Sequence, residues 1–166
     1  DIRKSKRIVN ALFDELELTT DNRELFEELG EILRQESESG HDKLNDIYKK
    51  CISIDSTRFI HRLNLGTAYR KMKLYSLSEQ EFRTVIAMDS SNNYAWNNLG
   101  LLYYSMQKYD EAERILFKTI AMDTFFANPY QIMGLVYFKT SRPKDAALFF
   151  NKALEINAKN SYAYLG

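Results

Sequence analysis

Carboxylate pairs such as Glu27/Glu28 and Glu36/Glu38 are the first groups in this 166-residue chain that could do chemistry. Two carboxylates work as general acid and base when they converge in a water-poor cleft. These pairs fall in segments with helical spacing of charged residues, so a solvated helix face accounts for them. Cys51 is the single cysteine, which excludes an intramolecular disulfide framework and leaves a free thiol to explain. His41 and His61 are the two histidines, and neither has a second histidine or cysteine at ligand spacing. The glycines are isolated, so no phosphate-cradling loop is present. Eleven tyrosines could stack on bases, but 23 Lys and Arg balance 23 Asp and Glu, and no aromatic-plus-basic groove emerges. No cofactor, metal, nucleic acid or catalytic residue is expected.

The elements that must carry these side chains follow from an internal repeat. Gly30, Gly66, Gly100 and Gly134 are 36, 34 and 34 residues apart, and each follows Leu29, Leu65, Leu99 or Met133. Three residues beyond the last three glycines stand Tyr69, Tyr103 and Tyr137. Twelve beyond stand Ser78, Ala112 and Ala146, and sixteen beyond stand Phe82, Leu116 and Phe150. Apolar residues recur at helical spacing along 94–106 and again along 110–122, so each unit predicts two helices. Gly100 is expected to face the second helix, where a side chain would hold the pair apart. Cys51 shares an offset with Val85, Thr119 and Ala153, which places it in the core. His41 is expected in a widened turn and His61 at the surface or boundary of a first helix turn. Pro129 and Pro143 fall in first helix turns, where the missing N–H costs nothing.

Trp96, Leu99, Gly100, Tyr103, Ala112 and Leu116 together resemble the tetratricopeptide repeat (TPR). The resemblance covers the chain as one array over 1–166. Residues 23–58, 59–92, 93–126 and 127–160 form units, 1–22 the second helix of an earlier degenerate unit, and 161–166 the start of a further helix. The usual inter-repeat proline is missing, with Ser56, Ser90, Thr124 and Ala158 in its place, and Leu44 and Ser78 replace the usual alanine. The resemblance implies an all-α solenoid of antiparallel helix pairs wound into a right-handed superhelix. One hairpin cannot bury its faces alone, so neighbouring units stack.

The resemblance also implies that first helices line a concave groove. Its offsets nominate Asn64, Thr67, Arg70 and Lys71; then Tyr94, Asn97, Asn98, Leu101 and Tyr104; then Asn128, Gln131, Leu135, Phe138 and Lys139. Glu24, Glu27, Glu28 and Glu31 form an acidic end. Asn64 and Asn98 share the offset of asparagines that hold peptide backbones in glycosyltransferase arrays of the family, but Glu28 and Ile132 break the ladder. Chaperone-tail-binding members have a lysine where this chain has Glu27, Leu63, Asn97 and Gln131, so that clamp is absent.

The implied function is a non-enzymatic module that holds a peptide of a partner protein. The alternatives are a self-assembling or spacer segment, with homo-oligomers stacked end to end, and the regulatory arm of a larger enzyme. Residues 14–46 hold 12 acids and three bases, a net of −9, against +9 for the remainder. Zero net charge is therefore the sum of two opposed regions, which can orient a partner. No stretch is long and apolar enough to span a bilayer. The chain starts at Asp1 and stops in mid-pattern, as a piece of a longer protein would. The lone cysteine leans towards a reducing, cytoplasmic setting, with the compartment open.

Overall fold

The computed structural model describes residues 59–163, together with Lys49 and Ile52. Expectations for Glu24, Glu27, Glu28, Glu31, His41, Cys51 and the units before residue 59 lie outside them. The described residues form six helices and no strand: α1 (Phe59–Lys71), α2 (Tyr75–Met88), α3 (Asn93–Ser105), α4 (Tyr109–Met122), α5 (Ala127–Lys139) and α6 (Pro143–Ala163). They pair as α1/α2, α3/α4 and α5/α6, and each first helix also packs on the first helix of the next pair. This is the all-α solenoid of antiparallel helix pairs.

Two kinds of turn repeat along the chain. Within each pair, Lys73, Gln107 and Ser141 take φ near +60°, at 62°, 61° and 60°. Their amides donate to Arg70, Tyr104 and Phe138 carbonyls, and the next amides donate to Tyr69, Tyr103 and Tyr137. These paired bonds close a helix C-terminus by the Schellman arrangement. Between pairs, Asp89 and Asp123 stop the second helices. Asp89 Oδ1 accepts from the Ser91 amide at 3.0 Å, and Asp123 Oδ1 accepts from the Phe125 amide at 2.9 Å. Asn92 then caps α3, its side chain accepting from the Ala95 amide at 3.0 Å.

In the last pair the second helix runs on past residue 160 without a turn. Asn157 stands where Asp89 and Asp123 fold the chain back, and α6 continues through it to Ala163. A neutral amide is a weaker acceptor for such a turn than a carboxylate.

Gly66, Gly100 and Gly134 serve packing, since none of the three has a positive φ. A Cβ on Gly100 would lie 2.7 Å from Leu116 Cδ2, and one on Gly66 would lie 2.6 Å from Phe82 Cε1. Leu116 and Phe82 are fully buried, so close helix approach depends on the missing side chain. Ser78 keeps its place in the core by donating to the Gly66 carbonyl at 2.7 Å. One apolar core runs through all three pairs, from Leu63 and Phe82 through Leu99 and Leu116 to Met133 and Tyr137.

His61 departs from its expected surface or boundary position and is 3% exposed. It shares a 34-residue offset with Ala95 and Pro129, which are buried too, and its helical stripe continues into Leu65, Ala68 and Tyr69.

Candidate binding groove

Side-by-side packing of α1, α3 and α5 makes one face of the array from first helices alone. The sequence places Asn64, Thr67, Arg70 and Lys71 of α1 on that face, and the first three are half-buried while Lys71 is exposed. Thr67 turns its hydroxyl to the Leu63 carbonyl at 2.9 Å, within its own helix. From α3, Tyr94 is 60% exposed and Asn98, Leu101 and Tyr104 are half-buried. Tyr104 meets the Tyr109 ring at a centroid distance of 6.0 Å, and Tyr94 meets Phe126 edge-on at 5.2 Å. From α5, Asn128, Gln131 and Lys139 are exposed, Leu135 is 38% exposed and Phe138 is 65% exposed.

Asn97 is different. It is only 6% exposed, and its Oδ1 is buried without a hydrogen-bond donor. Its offset is that of Leu63, also buried, whereas Gln131 at the same offset of α5 is exposed.

Arg70 is the most unusual charge here. Its Nη1 donates to Ser105 Oγ at 3.4 Å, a long bond from α1 to α3. Its Nε is buried with no partner. Burial lowers its pKa from the ordinary arginine value, the Tyr75 hydroxyl working weakly the other way. Arg62, on the same helix, instead meets Glu81 of α2 at 3.0 Å.

Away from this face several polar groups pair with one another. Tyr103 donates to Glu79 at 2.8 Å and Tyr137 donates to Glu113 at 2.7 Å, each linking a first helix to the second helix before it. Burial works against ionisation of Glu79, but hydrogen bonds from Arg83 and Tyr103 hold its carboxyl below the usual range. Burial, then the Glu113 hydrogen bond, pushes the Tyr137 hydroxyl up to about 12. Glu79 and Glu113 are 34 residues apart, a sequence signal that the tyrosine repeat alone does not show. Lys118 caps the Trp96 ring at 3.6 Å, a cation–π contact across the α3/α4 pair. Among the described residues no group of His, Cys, Asp or Glu is arranged to hold a metal ion. Among the same residues no helix is long and apolar enough to cross a membrane.

Two tetratricopeptide repeat profiles match, over residues 63–130 and 127–160, and together take in more than half the chain. The chain belongs to the tetratricopeptide repeat family. Comparison with curated protein sequences finds no match. Among solved structures, MamA aligns with 97% of this TPR chain and 89% of its own, at 26% identity and TM-score 0.67. PilF of Pseudomonas aeruginosa aligns with 83% of this chain and 62% of its own, at 24% identity and TM-score 0.70. The second TPR of Spaghetti (RPAP3), solved with the HSP90 peptide SRMEEVD bound, aligns with 61% of this chain and 94% of its own, at 22% identity and TM-score 0.55. TPR arrays are protein-interaction modules, and that general role extends to this chain.

Proposed function

We propose that the array is a non-catalytic adaptor that holds a peptide segment of a partner protein along α1, α3 and α5. One observation carries the reading. Leu135 and Phe138 stand 38% and 65% exposed on α5, on the face where Leu101 and Tyr104 of α3 are half-buried. Leu101 and Tyr104 pack against the core, and an apolar and aromatic strip that stays open to solvent beside them is a mark of an interaction surface. A stacked, preformed face suits an extended ligand, because little ordering cost falls on the receptor. The amides of Asn64 and Asn98, at one repeat offset, offer both a donor and an acceptor to a peptide backbone. A bound peptide in the RPAP3 array supports the same use of the fold. The acidic residues Glu24–Glu31 would extend the groove beyond the described residues.

Leu148 on α6 matches Phe138 in exposure, at 65%. Peptides selected on the full chain by display should therefore bind Phe138→Ser about tenfold more weakly, as expected for an interface anchor, and Leu148→Ser unchanged. Equal binding to wild type and Phe138→Ser would remove the groove from the account.

A further inference from the structure

Among the described residues, the first helices α1, α3 and α5 contain no carboxylate. FIHRLNLGTAYRK, NYAWNNLGLLYYS and ANPYQIMGLVYFK hold neither Asp nor Glu. All seven acids of the described helices sit on α2, α4 and α6: Glu79, Glu81, Asp110, Glu111, Glu113, Asp145 and Glu155. Asp89 and Asp123 lie in the turns. On the groove side, Lys71 and Lys139 are exposed cations, and Arg70 is half-buried. None of the three has a carboxylate within ion-pair distance among the described residues. A guanidinium offers five N–H donors in a planar fork. Arg70 uses one of them on a neutral hydroxyl at 3.4 Å, and its Nε points into buried space without an acceptor. Arg62, Arg83 and Arg142 are instead each held by Glu or Asp, although the Nε of Arg62 is likewise buried without an acceptor.

We infer that the described part of the groove takes an acidic peptide segment of a partner protein, with a carboxylate meeting Arg70 and an apolar residue meeting Leu135 and Phe138. The inference rests on the groove reading above and adds the ligand's chemistry. The Arg70 Nε is sealed from solvent, so a ligand carboxylate would meet the guanidinium end-on through its Nη groups, in a bidentate geometry that a hydroxyl cannot match. Lys71 adds long-range attraction for the same sign of charge. The absence of acids along three helices removes the repulsion that would oppose it. This arrangement uses the arginine four residues after the repeat glycine. It does not need the lysine of the chaperone-tail clamp, whose offset holds Leu63, Asn97 and Gln131 here. Packed helices lie roughly 8–10 Å apart, so α1 to α5 spans about 20 Å, which an extended peptide covers in about six residues. The acidic and apolar residues of the ligand are therefore about six residues apart.

Fluorescence polarisation on the full chain tests this with peptides carrying Glu-Glu-Glu and, six residues away, Leu-Phe, made in both orders. Matched peptides replace the glutamates with glutamine or lysine. The glutamate peptide of one order should bind about tenfold tighter than its glutamine counterpart. Arg70→Gln should remove that difference, and the exposed Lys71→Gln should reduce it. Equal affinity for glutamate and glutamine peptides, or a preference that survives Arg70→Gln, overturns the inference. If glutamine or lysine peptides bind as well and depend on Phe138, the groove reading stands and the acidic ligand falls. If no peptide of any series binds, both fall. A salt-sensitive dimer that Arg70→Gln dissolves would assign the groove to residues 14–46 of a second copy, and would overturn a separate partner.

Discussion

Lys73, Gln107 and Ser141 occupy a backbone conformation that favours glycine, with φ of 62°, 61° and 60°. A side chain there costs roughly 1–2 kcal/mol through contact of Cβ with the following carbonyl. Gly would relieve that cost but lose about 0.4–1 kcal/mol through its freer unfolded chain. Gln107→Gly should therefore raise the unfolding free energy by a net of about 0.5–1 kcal/mol, seen as a higher urea midpoint with the slope unchanged. A lower midpoint would refute the strain assigned to this turn. Tyr137 gives a second residue-scale test. Its hydroxyl ionises at about 12 in the folded chain, raised chiefly by burial and then by Glu113. The unfolded value is about 10. A raised folded pKa means that the proton-bound form is favoured by folding. The stabilisation is full below about pH 10 and lost as pH rises through about 12. Alkaline unfolding of Tyr137→Phe should show a shallower loss across that window. An identical pH profile would count against the Tyr137–Glu113 bond.

The helices hold together where glycine lets them approach. At Gly100 an added Cβ meets Leu116 Cγ at 2.8 Å, and Leu116 has no exposed surface into which to move. At Gly134 the added Cβ meets Phe150 Cε1 at 2.5 Å, yet that ring is half-buried and has a free side to turn towards. Overpacking costs about 1–3 kcal/mol, and alanine returns about 1 kcal/mol of helix propensity at either site. Gly100→Ala should thus destabilise clearly in thermal unfolding, and Gly134→Ala much less. The reverse order would show that Leu116 is not fixed. The helix pairing was legible because glycine, tyrosine and small residues recur at one period, and close packing leaves few other solutions. The end of α6 was not, because Asn157 differs from Asp89 and Asp123 by a single atom type. His61 was legible through its shared offset with Ala95 and Pro129, but a histidine's polarity masks that signal when it is read alone.

At the scale of the molecule, the array segregates its chemistry by helix type. Among the described residues, the second helices carry the helical acids and the first helices carry amides, aromatics and cations but no acid. Repeat offsets nominate the residues of the proposed groove, but not their depth. Asn97 and Arg70 look alike in sequence as polar groove positions, whereas packing buries Asn97 at 6% exposure and leaves Arg70 half-buried without a carboxylate. The central claim is that ligand lies on the face made by α1, α3 and α5. Amide chemical-shift mapping of the full chain, titrated with the acidic peptide described above, addresses it directly. The account predicts shifts concentrated at Arg70, Lys71, Asn98, Leu101, Tyr104, Leu135 and Phe138, with α2, α4 and the outer side of α6 unmoved. Shifts centred on Leu148 and Leu154 of α6, or on Glu79 to Ala87 of α2, would contradict it.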